Sequence, residues 1–231
     1  MTMPGTERDV IDTLVGIAPG SPLDAIRARR PEARTHAQAS YRALFAPEVP
    51  AGVTAQERFA VGSFVTGLHG GAAIAAFYAA GFAASGASAV LREAVDAAVA
   101  EAGAQGPYGR YPAGPLSRED TAGPVYRVGA ETRRGLGPRL TVAFEHMHLL
   151  VFHPRDAAPV GLQALLDAGW STTDIVTLSQ IVAFLSFQIR VVAGLRTLAE
   201  MGGLAAGPPS PPTLVAPRET RGAPRNTGTN F

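Results

Sequence analysis

From Phe59 to Leu91 the chain carries no Asp, Glu, Lys or Arg. Such a long uncharged stretch is typical of buried positions, because a solvated surface would carry charges. Apolar residues recur at helical spacing on both sides of a small-residue break at His69-Gly70-Gly71. The pattern therefore predicts two buried helices that meet at this break and form the centre of the fold.

Apolar periodicity with start and stop signals predicts further helices on both sides of this run. Thr54 with Glu57, and Ser171 with Asp174, form capping boxes that each begin an apolar helix. The predicted flanking helices cover residues 7–17, 21–30, 31–45, 88–103, 136–152, 159–169 and 174–200. A strand remains open for 136–152, because Thr, Val and aromatic residues are frequent there. The pattern as a whole predicts an all-α fold.

The same pattern divides the chain into three parts. Residues 1–50 are predicted to be a short N-terminal helical extension, and residues 51–203 a helical bundle domain. Inside the domain, residues 104–124 are rich in Gly and Pro, which is typical either of a functional lid or of a disordered insertion. Residues 204–231 contain too little apolar surface to offset the entropy of ordering, so we expect a disordered tail.

Composition and charge narrow the classes of function. The 20 Lys+Arg against 19 Asp+Glu give a net charge of +1, which offers no electrostatic case for a nucleic-acid partner. All 20 basic residues are Arg, so a Lys-dependent mechanism is excluded. The chain has no Cys, which excludes disulfides, thiolate catalysis and Cys-based metal sites. We interpret the arginines between residues 27 and 42 as a solvated face.

The uncharged run is long enough for a transmembrane helix, which needs about 20 apolar residues. Its many Ala and Gly residues have weak transfer energy, and the Gly70-Gly71 break would interrupt a spanning helix. The N-terminal residues carry acids where a signal peptide needs a basic stretch followed by a continuous apolar one. We therefore expect no membrane insertion and a cytoplasmic location.

Two segments, ERFAVGSFVTGLHGGAAIAAFY from Glu57 and the later helix that follows Ser171, resemble the alkylhydroperoxidase (AhpD-like) and carboxymuconolactone decarboxylase superfamily, most closely its peroxidase-related branch. The resemblance covers roughly residues 35 to 200 and implies an AhpD-like helical bundle. The positions that match the branch are Glu57, Arg58, Gly70, Phe187, Arg190 and Gly194, while Ser186 and Ile189 replace its two asparagines.

The redox signature of that family is an acid, a Cys-x-x-Cys that begins twelve positions later, and a His four positions after the second Cys. In this chain the acid position is Phe59, the cysteine positions are Gly71 and Ile74, and the His position is Tyr78. A peroxidatic step needs a thiolate. The resemblance therefore implies the fold without the thiol peroxidase activity.

His69 and Tyr78 are the candidates nearest to the place where the family's active site lies. His69 has two interpretations that the sequence leaves open. In one it is an acid/base or substrate contact, with Tyr78 one helical span away. In the other it caps the last carbonyls of the preceding helix.

Glu145, His148 and Arg190 are the remaining candidate site residues. Glu145 and His148 have the Glu-x-x-His spacing of helical di-iron sites, but the chain has no second copy, so we expect no metal and no cofactor. Arg190 could bind a carboxylate; within an apolar helix that we expect to be buried, it could equally pair with Glu57 or Glu145.

Three functional hypotheses follow. The first is a non-catalytic member of the superfamily, acting as an oligomeric scaffold, a ligand-binding protein or a partner of a cysteine-bearing relative. The second is a cysteine-independent acid/base enzyme that resembles the lactone decarboxylases and uses His69, Tyr78, Glu145 and Arg190. The third is residual peroxidase activity. The apolar 174–200 helix and the multimers typical of the family both predict a homo-oligomer.

Overall fold

The computed structural model describes residues 8–49 and 52–202, and within these ranges every regular element is helical. The predicted all-α class is confirmed. The α-helices are α1 Val10–Val15, α2 Pro22–Ala28, α3 Pro31–Phe45, α4 Ala55–Leu68, α5 Ala72–Ala84, α6 Ala89–Glu101, α7 Ala130–Phe152, α8 Pro159–Asp167 and α9 Thr172–Met201. The tail predicted for residues 204–231 lies outside the described residues.

Local capping explains where α4 and α9 begin. Thr54 accepts a hydrogen bond from the Glu57 backbone and Glu57 accepts one from the Thr54 backbone, so the predicted capping box is present at the start of α4. Ser171 and Asp174 form the second box at the start of α9. The break at Gly70, which has φ 71°, separates α4 from α5 as predicted.

The two central helices approach closely because each has a glycine opposite an aromatic ring of the other. A Cβ atom at Gly81 of α5 would overlap the ring of Phe59 on α4. A Cβ atom at Gly62 of α4 would lie 2.9 Å from Cδ1 of Tyr78 on α5. We call these two contacts the glycine notches. Both rings are buried, so the notches set the distance between the helices.

Helix α9 joins the N-terminal helices to the rest of the bundle. It packs against α1, α3, α4 and α7, and a single hydrophobic core includes side chains from α1 and from α9. Near its C-terminal end Arg196 donates to the carbonyl of Leu14, at 2.8 Å. The N-terminal extension therefore shares the core of the bundle.

An ion-pair network holds the first three helices together. Asp12 of α1 is buried and accepts hydrogen bonds from Arg27 of α2 and Arg34 of α3, and Arg27 also lies 2.6 Å from Asp9. The interpretation of the arginines of this region as a solvated face is wrong for Arg27, which is buried because two carboxylates surround it.

Helix α7 is longer than predicted. It begins at Ala130 and contains a break at Gly137, which has φ 74° and precedes Pro138. The predicted start near residue 136 thus marks an interruption inside the helix, because Gly and Pro give the same signal at a start and at a kink. The strand alternative for this segment is excluded.

Arg139 of α7 links three parts of the bundle. Its guanidinium lies 3.7 Å from the centre of the Trp170 ring, pairs with Glu57 at 2.8 Å and donates to the carbonyls of Gly52 and Gly169. The Trp170 indole donates in turn to the Arg139 carbonyl, at 3.0 Å. This junction ties α4 to α7 and to the turn between α8 and α9.

Among the described helices, α9 is the one that meets length and composition criteria for crossing a membrane, with a most apolar window of mean hydropathy 1.8. Core helices can meet the same criteria, and 44% of that window is buried inside the protein. The uncharged run from residue 59 to 91, by contrast, is divided between α4, α5 and the start of α6.

The close contact at Gly81 predicts that a Gly→Ala substitution destabilises the protein there, whereas the same substitution at a glycine without close neighbours should stabilise it. Gly81→Ala should lower the free energy of unfolding by about 1–2 kcal/mol, because overpacking against Phe59 outweighs the gain in helix propensity. Gly194→Ala is the control in α9, where an added Cβ meets no atom of the described residues within 4 Å, and at concentrations where the chain is monomeric it should raise stability by about 0.5–1 kcal/mol. Urea denaturation measures both, and a Gly81→Ala variant as stable as the wild type would contradict the close approach.

Candidate functional site

His69 lies at the C-terminal end of α4. Its Nδ1 atom is 2.9 Å from the carbonyl oxygen of Val65, and the side chain is half-buried. A ring nitrogen that donates to this carbonyl satisfies one of the acceptors that the end of a helix leaves free. The geometry thus corresponds to the helix-capping interpretation of His69.

Tyr78 is buried in the core and its hydroxyl donates to Oε1 of Gln188, at 2.7 Å. Burial raises the pKa of the Tyr78 hydroxyl well above its usual value. The hydroxyl therefore stays protonated near neutral pH and does not act as a base. Gln188 is itself buried, and its Nε2 atom has no hydrogen-bond partner among the residues that the structure describes.

The positions of the family's redox signature are occupied by packing groups. Phe59, Ile74 and Tyr78 are buried apolar or aromatic side chains, and Gly71 is the N-cap of α5. Phe59 and Tyr78 are the two rings of the glycine notches. The side chains at these two positions, Phe59 and Tyr78, thus hold α4 and α5 together.

Glu145 is engaged by groups that precede or begin α7. Its carboxylate lies 3.2 Å from Arg127 and 3.3 Å from Arg133, and it accepts a hydrogen bond from the backbone of Val128. These contacts dock the end of the 102–129 connection onto α7. The carboxylate therefore fastens this connection to the helix.

His148 is buried among rings. The ring centres of Tyr126 and Phe152 lie 5.1 and 4.8 Å from its own, and that of His153 lies at 6.3 Å. Burial lowers the pKa of His148 to about 4, and His153 adds a smaller effect in the same direction. His146, on the same helix, also has a pKa lowered by burial. Both imidazoles are therefore neutral at pH 7.

Within residues 8–49 and 52–202 no group of three or more His, Asp or Glu side chains is arranged to hold a metal ion. Around the Glu-x-x-His pair, Glu145 is bound by arginines and His148 is packed against rings. The observed contacts of this pair are therefore with arginines, backbone and aromatic rings.

Arg190 is exposed and donates to the carbonyl of Ser186 on its own helix, at 2.7 Å. The alternative in which Arg190 pairs with Glu57 or Glu145 is not the observed one: Arg139 binds Glu57, and Arg127 and Arg133 bind Glu145. Within the single chain, this part of α9 is exposed at Arg190.

The five candidates do not converge. Among the described residues no hydrogen bond, ion pair or ring contact joins any two of His69, Tyr78, Glu145, His148 and Arg190. The acid/base hypothesis requires four of these side chains to share one pocket.

A recess of about 480 Å³ lies elsewhere, between the 104–124 segment and the end of α7. The residues that line it include Arg110, Asp120, Val125, His153 and Asp156. Sequence reasoning did not find this recess. The sequence feature that could have indicated it is the group of His153, Arg155 and Asp156, three polar residues that directly follow an apolar helix.

No family model matches the chain, and no curated protein and no solved structure matches it either. Membership of the superfamily is therefore a proposal that rests on the sequence resemblance.

The Tyr78–Gln188 hydrogen bond predicts a cost for removing one hydroxyl. Tyr78→Phe leaves both polar ends of the buried Gln188 amide without a partner, so the free energy of unfolding should fall by about 1–3 kcal/mol. Tyr78→Phe combined with Gln188→Met removes both partners and should regain most of this loss. Urea denaturation of the two single variants and the double variant measures the coupling, and a Tyr78→Phe variant as stable as the wild type would contradict it.

The burial of His148 predicts a loss of stability in acid. Its pKa is about 4 in the folded chain, against about 6.5 when unfolded. Between these values the unfolded chain binds a proton that the folded chain does not, so stability falls as the pH drops from 7 to 4, by at most about 3 kcal/mol. His148→Phe should flatten this dependence, whereas the exposed His36→Gln should leave it unchanged. Denaturation curves at pH 4 to 7 measure it, and equal slopes for wild type and His148→Phe would contradict the assignment.

Proposed function

We propose that this chain is a member of the AhpD-like and carboxymuconolactone decarboxylase superfamily that lacks thiol peroxidase activity and acts as an oligomeric ligand-binding or partner protein. The observation that carries the proposal is the pair of glycine notches. Phe59 and Tyr78 stand at two positions of the family's reactive groups, and both rings are instead buried between α4 and α5. The absence of Cys supports the same conclusion.

An exposed apolar stripe on α9 supports the oligomeric part of the proposal. Val176, Phe187 and Leu198 are exposed and recur every eleven residues, which is three full helical turns and places them on one face. From Val176 to Leu198 the stripe is roughly 33 Å long. The exposed positions between them on this face include Ala183, Arg190 and Gly194.

Helix α5 also exposes an uncharged face. This face is formed by Ala72, Ala76, Ala79 and Ala83. Extended apolar surface of this kind is typical of protein–protein contacts. A second copy of the chain is the occupant that we propose for the α9 stripe, and a cysteine-bearing relative is the alternative partner.

The stripe gives a testable oligomer prediction. The purified chain should be a homo-oligomer at micromolar concentration, and Phe187→Glu should dissociate it because a charge would be buried in the contact. Val90→Glu is the matched control, since Val90 is exposed on α6, at 64% against 45% for Phe187. Sedimentation velocity measures the mass, and a monomeric wild type would refute the homo-oligomer.

The catalytic part of the proposal has a separate test. With a thiol reductant and an organic hydroperoxide, the chain should show no turnover above buffer, because no residue supplies a thiolate. A small lactone should likewise be stable in its presence. Turnover of the lactone that His69→Ala abolishes in a folded protein would instead establish the acid/base alternative.

A further inference from the structure

The segment between α6 and α7 is fastened to the end of α7 by its backbone. We call residues 106–125 the clasp. The backbone of Tyr108 donates to the Phe152 carbonyl at 2.6 Å, and Gly109 and Thr121 exchange two hydrogen bonds across the clasp, at 2.8 and 3.2 Å. The backbone of Arg110 donates to Asp156 at 3.1 Å. The clasp is thus an ordered strap, in contrast to a disordered insertion.

His153 stands at the centre of these contacts and is buried. Its Nδ1 atom lies 3.1 Å from a carboxylate oxygen of Asp156, and its Nε2 atom lies 2.9 Å from the carbonyl oxygen of Pro124 in the clasp. Both neighbours accept hydrogen bonds and neither can donate one. A neutral imidazole has a single N–H, so only the doubly protonated ring donates to both.

Of the charged and titratable groups around His153, some favour a second proton on its ring and others oppose it. From its own turn, Asp156 favours the proton, and the hydrogen bond from the Arg110 backbone, followed by that from His153, lowers the pKa of the Asp156 carboxyl. Arg155 opposes the proton, although its guanidinium stacks on Tyr111 at 4.3 Å.

From α7, the His148 ring lies 6.3 Å away and is neutral at pH 7. From the clasp, the Tyr108 ring lies 5.0 Å from His153, and the side chains of Arg110 and Asp120 line the same recess. Burial of the ring also opposes the charge. Asp156 is thus the anion in direct contact with the ring, and Pro124 is the acceptor that ties the ring to the clasp.

We propose that His153 is a proton-controlled latch: its doubly protonated ring holds Asp156 and Pro124 together and keeps the clasp closed over the recess. Loss of one proton leaves a single N–H, which the Asp156 carboxylate retains at Nδ1, so the bare Nε2 atom faces the Pro124 carbonyl oxygen. The contact that ties the ring to the clasp then breaks and the clasp opens. Protonation of the ring completes both contacts, so a falling pH favours closure. Imidazole side chains in general change charge between about pH 5 and 8.

Hydrogen exchange of the clasp amides tests the proposal in the full chain. After correction for intrinsic exchange rates, protection of the Tyr108 and Arg110 amides, which donate to Phe152 and Asp156 outside the clasp, should fall at least about tenfold from pH 5.5 to pH 8.5, the value of one charge-assisted hydrogen bond. Protection of the α9 amides should not follow this change. Clasp protection that is independent of pH would overturn the latch.

Two variants should abolish the pH dependence in opposite ways. His153→Gln has both N–H donors on one nitrogen and an acceptor oxygen at the other position, so it cannot donate to Asp156 and Pro124 as two ring nitrogens do, and the clasp should be open at both pH values. Asp156→Asn can still accept from the Arg110 backbone and can donate to Nδ1 of a neutral His153, which leaves Nε2–H for Pro124, so the clasp should stay closed at both. Persistence of the wild-type pH dependence in either folded variant would overturn the proposal.

Controls separate this latch from the other histidines. His148→Phe keeps a ring in the cluster and His36→Gln alters an exposed histidine, so both should retain the pH dependence of the clasp. Loss of the dependence in His148→Phe would assign the switch to His148 instead. Should His153→Gln not fold, nitrogen NMR of the wild-type ring decides, since a single N–H on His153 at pH 5.5 refutes the latch.

Discussion

The contact between α4 and α5 is the constraint on which much of the bundle depends. Each helix offers a glycine where the other presents an aromatic ring, so the two backbones approach more closely than ordinary side chains allow. Around this pair Phe45 contributes a third ring, 5.3 Å from Phe59 and 4.9 Å from Tyr78. The notches are filled from both sides, by Phe59 and by Tyr78. The position that suggests catalysis in the sequence is thus a packing centre in the fold.

Arginine side chains make many of the polar contacts that hold the helices of the bundle together. Arg58 is buried and donates to the carbonyls of Val53 and Leu44, at 2.9 and 2.7 Å, and burial lowers its pKa. Arg139 contacts a carboxylate, two carbonyls and an indole ring at once. A planar guanidinium with five N–H donors can serve several acceptors in fixed directions, whereas an ammonium group is a compact point charge. Because all basic residues of this chain are Arg, single side chains such as Arg58 and Arg139 can each bind several acceptors.

Features determined by neighbours in sequence were predictable, and features determined by distant contacts were not. The helix starts at Thr54 and Ser171 follow from capping boxes that span three residues. The sequence left the role of Arg190 open, because periodicity locates the helix but does not show that Glu57 and Glu145 bind other arginines. His153 was missed because its meaning depends on Pro124, 29 residues away along the chain. Burial and convergence are thus the parts of a site that a single sequence leaves open.

The stacking of Arg139 on Trp170 has a consequence for how the fold can be observed. Trp170 is the single tryptophan of the chain, and it is buried beneath a guanidinium that also binds Glu57. Its emission reports the junction of α4, α7 and the α8–α9 turn, with no contribution from a second indole. A change in that emission without loss of helicity would identify an intermediate in which the helices persist and this junction has separated. The chain thus carries its own optical probe at the junction of α4, α7 and the α8–α9 turn.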